Sequence, residues 1–246
     1  MSDGFFFADL PPGLAVGSLV EVTGDEAHHL AQVRRVGPGE SVTLTDGRGH
    51  GVRGPVRAVD RLKATVEVAD LLVEAPRRPF LTVVQALPKS DRAELAVDLM
   101  TELGVDRIVP WQAARSIGRW RGERGEKARA KWAAVARAAA KQSRRLIVPE
   151  VAPLATTHEV AELLGQAGLP VVMHETATTP VSVLRPAAEV PLTVVIGPEG
   201  GIAPDELALF EAAGARAFSM GPTVLRTSTA GAVAVAQLRL LAELAR

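Results

Sequence analysis

The sequence predicts an α/β protein: a small N-terminal β-barrel over residues 1–75, then a larger domain over 76–246 built on a mostly parallel sheet. Three observations lead there. The first 75 residues form short runs of alternating apolar and polar residues, punctuated by Gly and Pro. A proline-rich junction follows at Ala75-Pro76-Arg77-Arg78-Pro79, where the prolines bias the chain towards extended structure. From Phe80 onward, apolar strand-like runs alternate with amphipathic helical stretches, the pattern of a parallel sheet covered on both faces.

In the first part, the strand candidates are Ser18–Val22, Ser41–Thr45 and Ala64–Val68, with one or two helical turns around Asp25–Arg34. In the second part, Phe80–Ala86 reads as a strand and Asp91–Leu103 as a helix ended by Gly104 at C′. Val105–Pro110 is a strand, Lys127–Gln142 a long helix and Ile147–Val151 a short strand. Thr156-Thr157-His158-Glu159 has capping-box spacing and opens a helix to about Gln166. Val171–His174 and Leu192–Ile196 are buried-type strands. Pro204–Ala213 is a helix with Pro in its first turn, Arg216–Met220 a strand, and Thr227–Leu244 a final helix.

The chain has 246 residues, 47% of them hydrophobic and 23% charged, which is ordinary for a globular protein and excludes a disordered or rod-like chain. No apolar run reaches the ~18–20 residues of a membrane span. Met1–Phe7 lacks the basic and long apolar regions of a signal peptide, so an intracellular, cytoplasmic protein is expected. With no cysteine, disulfides, thiolate metal sites and Cys nucleophiles are excluded. No His, Asp and Glu cluster has ligand spacing, so no metal is expected. The net charge is zero, but it is unevenly spread. Residues 1–75 carry 7 basic and 11 acidic side chains, 76–152 carry 16 and 8, and 153–246 carry 5 and 9. Between 115 and 145 there are 11 basic residues, opposed only by Glu123 and Glu126. Such a segment can bind a polyanion locally.

Asp46-Gly47-Arg48-Gly49-His50-Gly51 is glycine-rich but is followed by Val52-Arg53-Gly54-Pro55, which cannot open a helix; a hairpin turn is expected rather than a nucleotide loop. Ile196-Gly197-Pro198-Glu199-Gly200-Gly201 is different, because it joins an apolar strand to a helix. Ligands of open α/β sheets collect at carboxyl ends of strands, and glycines there let the backbone approach a ligand. A plain sharp turn fits the spacing equally well. Met220-Gly221-Pro222-Thr223-Val224-Leu225-Arg226-Thr227-Ser228-Thr229-Ala230 is a second such turn, carrying one arginine and several hydroxyls. Capping by Thr227 or Ser228 is its bland reading. Met173-His174-Glu175 marks a third strand end. In Lys127–Arg145, Trp132, Val135, Ala136 and Ala139 share one helix face. Lys127, Lys131, Arg137, Lys141, Arg144 and Arg145 fall on the opposite side, a phosphate-facing pattern. Arg115, Arg119, Arg121 and Arg124 extend it through a loop whose Trp120 either stacks on a base or packs locally.

Several of these segments, taken in order, resemble the ribosomal RNA small-subunit methyltransferase E family. They are His29-Leu30 with Val33-Arg34-Arg35, Asp46-Gly47, Gln85-Ala86-Leu87-Pro88-Lys89-Ser90-Asp91-Arg92, Thr101–Val105, Arg115-Ser116, Lys131-Trp132 with Ala140–Ser143, Ile196–Gly201 and Leu225-Arg226-Thr227. The resemblance covers nearly the whole chain. It implies a PUA-like β-barrel followed by a SPOUT-type α/β domain with a trefoil knot within about 170–235, acting as a homodimer. It also implies methylation of N3 of one uridine in 16S ribosomal RNA with S-adenosyl-L-methionine, the RNA being held within an assembled small subunit.

On this resemblance the cofactor lies against Met173, His174 and Glu175, against Ile196, Gly197, Pro198, Gly200 and Gly201, and against Met220, Gly221, Leu225, Thr227, Thr229 and Ala230. Arg226 is the candidate for stabilising charge on the uracil oxygens as the N3 proton leaves, with Glu199 a candidate for cofactor or proton contacts. The RNA-facing set is Arg34, Arg35, Lys89, Arg92, Arg115, Arg119, Arg121, Arg124, Lys131, Lys141 and Arg144. Two alternatives stay open: a related methyltransferase acting at another RNA site, and a non-catalytic RNA-binding assembly factor.

Overall fold

The computed structural model describes residues 4–89 and 92–245. Residues 1–3 of the N-terminal stretch, Ser90 of the Lys89 motif and Asp91, the expected start of a helix, lie outside the described residues. The chain separates into two compact units. One holds residues up to Pro76 together with Ala140–Val148; the other holds Arg77–Ala139 and Pro149 onward.

The first unit is a six-stranded sheet. Its strands are β1 (Gly4–Phe7), β2 (Leu19–Thr23), β3 (Ser41–Thr45), β4 (His50–Val59), β5 (Lys63–Glu67) and β6 (Asp70–Val73), in the order β1-β3-β4-β5-β2 with β6 also on β4. Alternation decides which side chains go inside. In β2, Val20 and Val22 are buried while Leu19, Glu21 and Thr23 are exposed. The core joins Phe6, Val20, Val22, Leu30, Val42, Leu44, Val56 and Val66. The glycine-rich stretch 46–51 is indeed the turn of an antiparallel hairpin, β3 on β4, and opens no helix. α1 (Gly24–His28) continues into a wide turn over His29–Val33.

Residues 145–148 complete this unit. Val148 N–H donates to Gly47 O at 2.9 Å, Gly49 N–H to Leu146 O at 3.1 Å, and Leu146 N–H to Glu74 Oε2 at 2.7 Å. Arg145 is therefore buried, with 5% exposure, rather than on the open basic face expected from helical periodicity. The physical reason is that the helix stops at Gln142 and Arg144 takes φ +58°, so the 3.6-residue phase no longer applies.

The second unit is a six-stranded, all-parallel sheet. Its strands are β7 (Leu81–Ala86), β8 (Arg107–Trp111), β9 (Glu150–Val151), β10 (Leu169–Met173), β11 (Leu192–Ile196) and β12 (Arg216–Phe218), in the order β12-β10-β11-β7-β8-β9. Every residue of β7 and β11 is buried, as expected of central strands covered on both faces. The helices are α2 (Ala93–Glu102), α3 (Gly122–Gln142), α4 (Thr157–Gly165), α5 (Pro204–Ala212) and α6 (Thr227–Leu244). On one face Val84, Trp111, Val172 and Val195 pack with Val160 and Leu164 of α4 and Phe210 of α5. On the other, α6 lies over β7 and β11 and against α2. The capping box of α4 is present: Glu159 N–H donates to Thr156 Oγ1 and Thr156 N–H to Glu159 Oε2. No described helix is long and apolar enough to cross a membrane.

The strand order has a functional consequence. From β7 the chain runs outward through β8 and β9, then returns to build β10, β11 and β12 on the other side. The direction reverses between β7 and β11, the position where ligands of open parallel sheets collect.

Candidate active site at three strand ends

The carboxyl ends of β10, β11 and β12 enclose a cavity of about 330 Å3, within the range of roughly 300–1,000 Å3 common for small-molecule sites. Parallel register makes this possible. Met173 is level with both Ile196 and Phe218, so the three following loops leave the sheet side by side. Met173, His174 and Glu175 line it from β10, and Ile196, Gly197, Pro198, Glu199 and Gly201 from β11. Met220, Gly221, Leu225, Arg226, Thr227 and Ala230 line it from beyond β12. Gly200 and Thr229 of the sequence reading stand outside the lining, whereas Ile202, Ser219, Pro222, Thr223 and Val224 belong to it. For Ser219, Pro222, Thr223 and Val224 the signal is continuity: 219–227 lines the cavity without a break, so the whole turn and not only Met220, Gly221 and Leu225–Thr227 faces it.

Backbone geometry carries much of the site. Gly201 has φ +73° and closes a turn in which its N–H donates to Pro198 O at 2.9 Å. Gly221 has φ +146°, a conformation that residues with a Cβ rarely adopt. Gln237 of α6 donates to Met220 O at 3.1 Å and holds that loop from behind. The N-cap of α6 is Arg226, with no side-chain cap hydrogen bond. Thr227 and Ser228 therefore do not cap; they enter the helix and are buried at 3% and 1% exposure. Capping fails because the extended residue is Arg226 (ψ 146°), one position earlier than the hydroxyls.

A second compartment of about 300 Å3 adjoins the first. Lys89 and Arg92, which follow β7, line it together with Glu199 and Arg226. The two compartments thus share one carboxylate and one guanidinium. Lys89 N–H donates to Glu199 Oε1 at 3.3 Å, tying the β7 loop to the glycine loop.

The other basic candidates are less uniform than the sequence suggested. Arg119, Arg121 and Arg124 are exposed. Arg115 is exposed too, but its Nη1 donates to Gly200 O at 3.1 Å. Lys131 pairs with Glu94 at 2.5 Å. In the first unit, Lys141 pairs with Glu26 at 2.6 Å and lies 5.0 Å from the Phe6 ring centre. Arg34, Arg35 and Arg144 of that unit are exposed. Trp120 packs edge-on against Trp132, with ring centres 5.0 Å apart.

Residues 76–239 match the family model described as an RNA methyltransferase domain, and residues 22–69 match an RNA methyltransferase PUA domain. A ribosomal RNA small subunit methyltransferase E from Mycobacterium bovis is 45% identical over 240 residues, covering 96% of this chain and 91% of the relative. The chain belongs to the ribosomal RNA small subunit methyltransferase E family. A member from Bacillus subtilis is 28% identical over 92% of this chain and 91% of its own. The crystal structure of a methyltransferase E from Neisseria gonorrhoeae, bound to S-adenosyl methionine, superposes with a TM-score of 0.85. It is 28% identical and is covered, like this chain, to 98%.

Proposed function

We propose that this protein transfers a methyl group from S-adenosylmethionine to N3 of a uridine in 16S ribosomal RNA of the small subunit. The observation that carries the reading is the pair of adjoining compartments, which share Glu199 and Arg226 at the switch point of the sheet.

The larger compartment suits the cofactor chemically. Met173, Ile196 and Leu225 offer apolar walls to an adenine, and Glu175 and Glu199 bring carboxylates to a ligand with sulfonium and ammonium charges. Gly197, Gly201 and Gly221 in the lining let the backbone approach such a ligand closely. When bound, S-adenosylmethionine supplies an activated methyl group. The chain's residues do the rest. The glycine loop 197–201 and the 219–227 segment hold and orient the donor, so that positioning replaces a bimolecular encounter. Arg226 faces both compartments and stabilises negative charge on the uracil oxygens once the N3 proton is released. Lys89 and Arg92 attract the phosphates flanking the base. A base in ribosomal RNA must leave its stack to enter.

The same reading extends to the first 75 residues as a PUA-like barrel that binds RNA by shape and phosphates. It makes 76–246 the methyltransferase domain, with a trefoil knot within about 170–235, a homodimer in the cytoplasm and an assembled small subunit as substrate. The RNA-facing set contributes unequally. Arg121 and Arg124 are exposed, and Arg119 is exposed while donating to Ala114 O at 3.3 Å, whereas Lys131 and Lys141 are held in ion pairs.

The test is to map N3-methylated uridines in 16S ribosomal RNA from a strain lacking the gene, then restore wild type or Arg226→Ala. One uridine should lose its methyl group and regain it only with the wild type. An unchanged map refutes the proposed reaction. Loss at a different RNA would reassign the substrate, and cofactor binding without any lost methyl group would mark a binding factor.

A further inference from the structure

Glu206, in the first turn of α5, is 4% exposed, and no ion pair of its carboxylate is found among the described residues. Burying a carboxylate is costly unless its lone pairs are filled by donors. Here they are. Ala114 N–H donates to Oε1 at 2.8 Å, Thr157 Oγ1 donates to the same oxygen at 2.9 Å, and Ala203 N–H donates to Oε2 at 3.1 Å. Thr157 in turn accepts from Trp111 Nε1 at 3.2 Å, which leaves its proton free for Glu206. Both carboxylate oxygens are thus acceptors, a role that a glutamine, with one oxygen and one donor nitrogen, cannot fill.

These donors lead to the glycine loop of the cavity by two routes. Ala203 is the residue that ends the loop and precedes α5. Ala114 precedes Arg115, whose guanidinium donates to Gly200 O at 3.1 Å. The fit between Arg115 and Gly200 is tight. A Cβ on Gly200 would meet Arg115 Cβ at 3.1 Å and Arg115 O at 3.4 Å. The loop is therefore held in its middle by Arg115 and at its end by Ala203, and one buried carboxylate fastens both.

We infer that Glu206 is a positioning residue for the cofactor: through Ala203 and through Ala114–Arg115 it sets the conformation of loop 197–201. The inference rests on the cofactor reading above and adds a residue that does not line the cavity. It also gives Arg115 a place in donor binding rather than in phosphate contact.

Two measurements on the full chain test it: hydrogen exchange of the 197–203 amides without ligand, and calorimetric titration with S-adenosylmethionine. Glu206→Gln and Arg115→Ala should each speed exchange in 197–203 and weaken binding about fivefold, the effect of one lost hydrogen bond. The double variant should fall short of the product of the two, because both act on one loop. Arg239→Met, which disrupts a buried polar network elsewhere, controls for lost stability and should leave the affinity of the folded protein for S-adenosylmethionine at its wild-type value. If Glu206→Gln and Arg115→Ala lower only the melting temperature, with exchange and affinity unchanged, the inference is overturned and Glu206 is merely structural. A wild-type protein that binds no S-adenosylmethionine overturns the cofactor role, and with it the function proposed above, even where exchange in the loop responds. Because Arg115 is exposed, its alanine variant keeps the test decisive if Glu206→Gln fails to fold.

Discussion

Arg239→Met is expected to destabilise the second unit more than any surface change. Arg239 on α6 donates to Gly104 O at 2.6 Å, to Pro79 O at 2.7 Å and to Asp106 Oδ2 at 2.5 Å. Asp106 Oδ2 also accepts from Leu81 N–H at 2.7 Å. The two side chains are only 12% and 5% exposed. Burial pulls the guanidinium below its ordinary pKa, and the charge and hydrogen bond of Asp106 push it back up. Removing the arginine leaves a buried carboxylate with one backbone donor and two carbonyls without theirs. Breaking a buried pair in this way costs about 3–5 kcal/mol. For a unit of this size that is a fall in melting temperature of roughly 6–20 °C. All three tryptophans, Trp111, Trp120 and Trp132, lie in the second unit, so intrinsic fluorescence during urea unfolding reports on it. Adding Asp106→Asn should recover more than about 1 kcal/mol, because the stranded charge disappears while Leu81 N–H keeps an acceptor. The reasoning fails if the single variant lies within about 1 kcal/mol of wild type, or if the second substitution makes matters worse.

Thr156→Ala removes the cap of α4 and should cost about 1 kcal/mol at neutral pH in the same urea assay. Hydrogen bonds from the Thr156 backbone and hydroxyl hold the Glu159 carboxyl below its usual value. That contribution is present above about pH 4.5 and lost as pH falls through the folded-state value, so Glu159→Gln should flatten the acid limb. Burial, and then the nearby Lys141 charge, lower the pKa of His29 beneath the ordinary histidine value of 6.5. The unfolded chain then binds the proton first, so stability should decline as pH drops below about 6.5. His29→Gln should remove that slope in circular dichroism melts, and an unchanged slope would rule His29 out. Reversing Arg119, Arg121 and Arg124 to Glu should weaken binding to a ribosomal RNA fragment and reduce its salt slope by up to about 0.7–0.9 per lost phosphate contact. An unchanged slope would mean the loop does not meet the RNA.

Local chemistry was enough to write several elements from the sequence alone. β11 at Leu192–Ile196 and α6 at Thr227–Leu244 have the expected bounds, because β-branched Thr193–Ile196 stopped by Gly197-Pro198 favours a strand and an Ala- and Leu-rich stretch favours a helix. The capping box at Thr156 was legible because its partners are three residues apart. Three strand ends could be singled out because strand–glycine–helix junctions have a local signature, and parallel register then brings them around one cavity.

What the tertiary structure decided depends on partners far apart in the chain. The last turn of α3 and residues 143–148 belong to the first unit, where Leu146 meets Glu74 across 72 positions. Lys141 is matched to Glu26, so its charge faces an acid rather than solvent. Glu206 looks in sequence like any acidic residue in a first helical turn. Only folding brings Ala114 and Thr157 to it, from 92 and 49 positions away. Periodicity reports which face of an element is apolar; it carries no information about what that face meets. Burial of charge is decided by the partner, and the partner is chosen by topology.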